Sequence, residues 1–376
     1  MAKVDGNSKQ PSDKKSDRGY FDGCFDLCHS GHFNAIRQAA STVNTLLVGP
    51  NSDEQIMRYK GPTIMNGQER ADIVRAIKWG DIVVPDTPYE CTTELLDQLN
   101  CQYFVHGDDP VMCDGVNVNE LLKSINRFKE VRRTTGISTT DLTGKLLDLL
   151  KPPEEECKQR QAVSERIVNP PKQTFLQTST RIANFSNRRE PGVDEQIVYF
   201  QASCDLMHPG VIARIHAAKA EGDFLYVGLW DDEMIKYYRG SRYPLQGMQE
   251  RLLMALAMKD VDDVVIGAPY IITDDLIKSL NIKKVVHVRT REDQVKPEFA
   301  HLDPFEVPKA QNIFVELPAV ENDLTLEDIA RRVEANRDQF ENKFNKRKAK
   351  QDDYYLNLKR SVSQLKAQEV SEDANR

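Results

Sequence analysis

The sequence runs to 376 residues, too long for one ordinary hydrophobic core and suited to two domains. With 40% hydrophobic and 29% charged residues and a formal charge of −7, it lacks the excess of basic charge that nucleic-acid binding demands. A polar N-terminus without an apolar leader, and no run near the roughly 20 apolar residues of a membrane span, predict a cytoplasmic protein. Seven cysteines without CxxC spacing read as reduced thiols, with no metal site.

Residues 1–17 read as a disordered polar arm, and a first domain is expected over 18–150. Within it, short β-rich apolar runs, GYFDG, NTLLVGP, DIVVP and CQYFVHG, alternate with stretches of helical period such as HFNAIRQAAS and GQERADIVRAIKWG. Such alternation predicts a doubly wound parallel α/β sheet that binds ligands at the carboxyl ends of its strands.

Residues 151–192 turn to proline and charge and read as a linker, within which Phe175, Leu176, Ile182 and Phe185 of TFLQTSTRIANFSN fall near helical spacing. The first domain's plan then repeats over 193–340. YFDGCFDLCHSGH (20–32) aligns with YFQASCDLMHPGV (199–211) at an offset of 179, and Glu69 of NGQER aligns with Glu250 of QGMQER at 181. The strand runs of the second copy are IVYFQ, DFLYVGLW, DVVIGAPY and KKVVHV. The charged tail, 341–376, reads as a solvated helix; peripheral membrane association is the alternative, and would need a longer apolar stripe.

In the first copy the strand end GYFDGCFD passes through HSGH into a helix, which puts His29 and His32 on its opening turn. Helix N-termini attract phosphate, and Gly31 between the histidines allows close approach to the backbone. Asp26 reads as a cap or a brace. RRTTGISTTDL (132–142) offers a forked cation at Arg133, a tight turn at Gly136, and hydroxyls and N–H groups from Ser138, Thr139 and Thr140 at a second helix start. Simple capping would use the same serine and threonines. Lys60, in a loop of MRYKGPT, reads as a movable ammonium or as part of Gly-Pro turn chemistry; Arg70 of GQER either reaches a phosphate or braces its helix. HGDD (106–109) closes a strand and gathers His106, Asp108 and Asp109 at the sheet edge, or is a plain turn.

HSGH has the HxGH form of the nucleotidyltransferase superfamily, RRTTGISTTDL resembles the RTEGISTSD signature of cytidylyltransferases, and YKGPTIMNGQER supplies a KG…ER segment. With the duplication and the linker phrase, the chain from about residue 18 to about 345 resembles the tandem-domain ethanolamine-phosphate cytidylyltransferases. The resemblance implies two Rossmann-like nucleotidyltransferase domains, of which the second is degenerate by its own residues, and transfer from CTP to phosphoethanolamine with Mg²⁺ accompanying CTP. It implies catalytic roles for His29, His32, Lys60 and Arg133, and CTP contacts that add Phe21, Asp22, His106, Asp109, Thr134, Gly136, Ile137, Ser138 and Thr139. Asp108 would face the amino-alcohol. Phosphocholine as acceptor, and a CTP-binding pseudoenzyme, remain alternatives; a dinucleotide-binding oxidoreductase is disfavoured because no GxGxxG follows the first strand.

The second copy departs at each motif. Val211 stands for His32, Gln201-Ala202-Ser203 for Asp22-Gly23-Cys24, Arg239 for Lys60, HVRT (287–290) for HGDD, and ENDLTLEDIA (321–330) for TTGISTTDLT. Valine cannot donate the lost hydrogen bond, so this copy is expected to be silent. The copies are expected to pack as a pseudo-dimer within one chain, with homo-oligomers left open.

Overall fold

The computed structural model describes residues 17–107, 111–113, 116–134, 136–149, 178–291, 302–346 and 349. Asp108, Asp109, Cys157, Phe175 and Leu176, residues 1–16 of the expected N-terminal arm, most of the linker and nearly all of the charged tail lie outside these residues.

The first domain runs β1 (Arg18–Gly23), α1 (Ser30–Ala40), β2 (Thr45–Pro50), α2 (Asp53–Lys60), α3 (Gly67–Ala76), β3 (Ile82–Val83), α4 (Thr93–Gln98), β4 (Tyr103–Gly107), the short hairpin β5 (Met112–Cys113) and β6 (Val116–Asn117), α5 (Asn119–Ser124), β7 (Phe128–Val131) and α6 (Thr139–Leu149). A bridging helix, α7 (Ser179–Phe185), precedes the second domain. That domain runs β8 (Ile197–Ala202), α8 (Pro209–Lys219), β9 (Phe224–Leu229), α9 (Asp232–Arg239), α10 (Met248–Leu256), β10 (Asp263–Ile266), α11 (Asp274–Ser279), β11 (Lys284–Val288), α12 (Glu306–Ala310), β12 (Phe314–Leu317) and α13 (Leu326–Ala335).

Each domain carries a five-stranded parallel sheet, in the order β3-β2-β1-β4-β7 and β10-β9-β8-β11-β12. Both are the doubly wound α/β class expected, with the order reversing between the first strand and the fourth, where such sheets open a ligand crevice. The fifth strands, FKEV and FVEL, were absent from the expected runs.

The strand period of two sorts the core. In β1, β2 and β4, Tyr20, Leu47 and Phe104 enter a cluster private to the first domain, while Phe21, Leu46, Val48 and Val105 enter a core shared by both domains. The second domain repeats this, with Tyr199 in its private cluster and Val198 and Phe200 in the shared core. Ile77 and Met258 form an antiparallel bridge at the seam, flanked by Lys78 N–H to Ala257 O (3.1 Å) and Lys259 N–H to Ala76 O (2.9 Å). These residues are related by the 181-residue offset, so a pseudo-two-fold axis passes through the bridge and the contact is isologous. From the linker, Phe185 of α7 is fully buried against Trp79, ring centroids 4.9 Å apart.

The boundary expected at 340/341 falls inside a helical stretch over 337–346. There Phe340 is buried in the shared core, Phe344 packs against it, and Lys343 reaches the first domain.

Candidate active site

The first turn of α1 is closed by its two histidines. His29, the N-cap, accepts the Gly31 N–H on Nδ1 (3.1 Å), while His32 accepts the His29 N–H on its own Nδ1 (3.3 Å). This is a capping box in which both acceptors are imidazoles. A ring nitrogen that accepts cannot carry the proton, so each neutral ring holds it on Nε2 and presents a donor. The ring centroids lie 4.0 Å apart. Burial, with His32 and Arg133 nearby, holds His29 well below the ordinary imidazole range; burial, with the Lys60 and Arg133 charges, lowers His32 to about 4. Both rings are therefore neutral at pH 7.

Residues 133–134 and 136–139 come against this turn. Thr134 is buried and its hydroxyl accepts from Asn34 Nδ2 (2.9 Å), while Asn34 Oδ1 takes Arg37 Nε (3.1 Å). A methyl built on Gly31 would lie 2.8 Å from His29 Cε1 and 3.2 Å from Ile137 Cγ2, so only glycine fits between them. Gly136 has φ +87°, the turn expected of it. Ser138 caps α6, its hydroxyl accepting the Asp141 N–H at 3.2 Å, and Thr139 is the first helical residue. Arg133 is exposed at the rim.

Lys60, expected in a loop, is the last residue of α2. Ser52 caps that helix, Asp53 and Glu54 favour its start, and Gly61 at φ +79° stops it. Lys60 Nζ sits 5.0 Å from the Tyr89 ring centroid, and Tyr89 stacks on Tyr59 at 4.7 Å. Across the strand-order reversal, His106 Nε2 on β4 lies 4.0 Å from Asp22 Oδ1 on β1, and Phe21 faces the His106 ring at 6.4 Å between centroids. Asp22 also meets Asn51 Nδ2 at 3.5 Å, and burial raises its carboxyl above the usual range.

Two residues turn out to be braces. Asp26 accepts the Ile64 and Met65 N–H groups, both at 3.0 Å, and fixes the loop after Lys60. Arg70 is fully buried and donates to Cys24 O (2.5 Å), Asn51 O (2.7 Å) and Asp53 Oδ1 (2.7 Å), tying two strand ends to the start of α2. Sequence reasoning missed Asn34, Asn51 and the Tyr59–Tyr89 pair. Asn34 carried a legible signal, as a polar residue between Phe33 and Ile36 on the buried face of α1.

The Cytidylyltransferase-like family matches residues 20–165 and 199–304. An ethanolamine-phosphate cytidylyltransferase from Dictyostelium discoideum is 41% identical over 353 residues, covering 90% of this chain and 97% of the relative. The chain belongs to the ethanolamine-phosphate cytidylyltransferase family. A member from Arabidopsis thaliana is 36% identical over 365 residues, covering 91% and 86% of the two chains. Choline-phosphate cytidylyltransferase 2 from the same plant reaches 45% identity, but over 145 residues, which cover 37% of this chain and 47% of its own. Similarity to the ethanolamine-phosphate cytidylyltransferases thus spans both copies, whereas similarity to the choline enzyme spans a length of one.

In this family member the second crevice is filled from within. His208 still caps α8, accepting the Val211 N–H on Nδ1 (3.4 Å), but Val211 is buried where His32 stands. A methyl on Gly210 would overlap the Leu324 carbonyl oxygen, so backbone covers the cradle. Asp323, in the place of Gly136, accepts from Thr290 Oγ1 (2.8 Å) and Arg291 N–H (3.1 Å), which ties that backbone to the end of β11. Trp230 replaces Asn51 and packs 5.8 Å from both Tyr238 and Tyr270. Arg239 turns to Glu327, at 3.9 Å.

Proposed function

We propose that the first domain transfers the cytidylyl group of CTP to phosphoethanolamine, giving CDP-ethanolamine and diphosphate for phosphatidylethanolamine formation in the cytoplasm. The observation that carries this reading is the reciprocal histidine cap, which leaves two neutral Nε2–H donors at the end of β1 with the Lys60 and Arg133 charges nearby. An oxygen of phosphoethanolamine attacks the α-phosphorus in line; the bond to the bridging oxygen breaks and diphosphate leaves with the electron pair. No protein nucleophile is needed, so catalysis is positioning and charge stabilisation.

His29 and His32 donate to phosphate oxygens, Lys60 and Arg133 neutralise growing charge, and the 136–139 turn with the start of α6 receives the outer phosphates. Phe21, Asp22 and His106, at the ends of β1 and β4, flank the nucleoside side; by family resemblance Asp109 joins them and Asp108 meets the ammonium group. Mg²⁺ bound to CTP would offset part of the triphosphate charge, leaving the protein side chains to position the nucleotide. The filled second crevice supports a catalytically silent second domain.

The test supplies labelled CTP, Mg²⁺ and either phosphoethanolamine or phosphocholine. CDP-ethanolamine is the expected product; an equal or faster phosphocholine reaction would make it a choline enzyme, and CTP binding without product a sensor. His32→Ala should cut turnover about 10²- to 10³-fold with the circular-dichroism spectrum intact. Near-normal turnover would sink the assignment.

A further inference from the structure

The loop and helix start that follow Lys60 are held from the silent domain. Arg332, on α13, lays both arms on the Glu69 carboxylate, Nη1 to Oε2 and Nη2 to Oε1 at 2.7 Å each, and Nη1 lies 3.4 Å from Ile64 O. Glu69 is the N3 residue of the α3 capping box, where its Oε2 also accepts the Asn66 N–H at 3.0 Å. Lys343, further along the same C-terminal segment, donates to Pro62 O. Between Lys60 and Glu69 the backbone is thus gripped at Pro62 and Ile64 by cations of the C-terminal segment, and at Ile64 and Met65 by Asp26.

The pseudo-two-fold repeats this contact with altered chemistry. Lys145 of α6, the counterpart of Arg332 by the 187-residue offset that relates the caps Ser138 and Thr325, donates to Leu245 O, the counterpart of Ile64. Glu250, the counterpart of Glu69, takes Gln246 Nε2 at 2.5 Å in place of an arginine fork. A two-pronged guanidinium fixes orientation as well as distance, whereas an ammonium on one carbonyl does not. The stronger clamp therefore lies on the loop of the open crevice, the weaker one on the loop of the filled crevice.

We propose that Arg332 is a positioning residue of the first active site: through Glu69 it sets the α3 start and the 61–66 loop, and so the place from which Lys60 meets the triphosphate. The silent domain then serves catalysis by completing the active one. The inference rests on the proposed CTP site, and CTP affinity measured by calorimetry tests it whatever the second substrate is.

In the full-length chain, Arg332→Gln should weaken CTP binding about tenfold, the scale of coupling carried through packed contacts. Glu69→Gln should do the same, with the double variant no worse than either single one. Arg332→Lys should recover part of the affinity. Lys145→Gln, at the mirror contact, should leave CTP affinity unchanged while lowering Tm. Unaltered CTP affinity in Arg332→Gln at a lowered Tm would reduce the contact to a structural one and overturn the proposal. A wild-type chain that binds CTP yet forms no CDP-ethanolamine would defeat the proposed reaction while leaving this test intact; one that binds no CTP would overturn both.

Discussion

At the scale of single residues, the histidines of α1 do two tasks with two nitrogens. Nδ1 completes the helix cap and thereby fixes the proton on Nε2, so one ring both closes the helix and presents a donor. This coupling predicts acid sensitivity. In the unfolded chain these rings take protons as pH falls through about 6.5, whereas folded His32 resists until about 4 and His29 lies well below its ordinary value. The unfolded state binds more protons across that window, so stability present above pH 6.5 is lost as pH falls toward 4. His32→Gln removes one such group, and its Tm should drop less than wild type between pH 7 and pH 5. Parallel Tm curves would contradict the depressed pKa. The pair itself was legible from HSGH, because spacing put both rings on one turn; the tautomer was not, because it depends on backbone N–H directions that a sequence does not display.

At the scale of elements, the loops around the crevice are bent against local preference. Phe25 and Leu27 have φ of 53° and 47°, and Cys204 and Leu206, their counterparts, have 49° and 65°. Left-handed non-glycine residues cost about 1–3 kcal/mol each. They turn Asp26 and Asp205 inward, each to accept two backbone N–H groups of the following loop. Arg70 and Arg251 lock the same corner: each is fully buried and holds one aspartate, Arg70 with two backbone carbonyls and Arg251 with three. Arg70→Leu and Arg251→Leu should each cost about 3 kcal/mol, because buried carbonyls are left unpaired. Urea titration checks this, and a loss under 1 kcal/mol at either site would contradict the shared brace. Only Arg70→Leu should also raise the KM for CTP. Helical and apolar periodicity announced four of the five strands in each sheet. FKEV and FVEL escaped because edge strands are half exposed and carry charge; Lys129 of FKEV lies over the Tyr103 ring at 3.9 Å and donates to Thr42 O.

At the scale of the whole molecule, the two copies share one core across the Ile77–Met258 seam, and α7 seals its edge with Phe185. Neither copy hides its inner sheet face alone. Residues 18–150 expressed without the remainder should aggregate or bind hydrophobic dyes, and co-expression with residues 178–376 should recover a soluble complex, as judged by gel filtration. A monomeric, fully active first copy would refute the shared-core account. Among the described residues no helix is long and apolar enough to cross a membrane.

The sequence by itself determined the duplication, the parallel α/β class, the family and the His29–His32 pair, because these rest on local periodicity and on motifs read in one stretch. Only the tertiary structure decided that Lys60 ends a helix, that Arg70 braces two strand ends, and that Leu324, Asp323 and Trp230 fill the second crevice. It alone brought Arg332 to Glu69, 263 residues away in the chain. The reason is physical: a motif states which groups are present, but whether a cation points at a carbonyl, a carboxylate or an open crevice is set by elements that meet only after both sheets have packed.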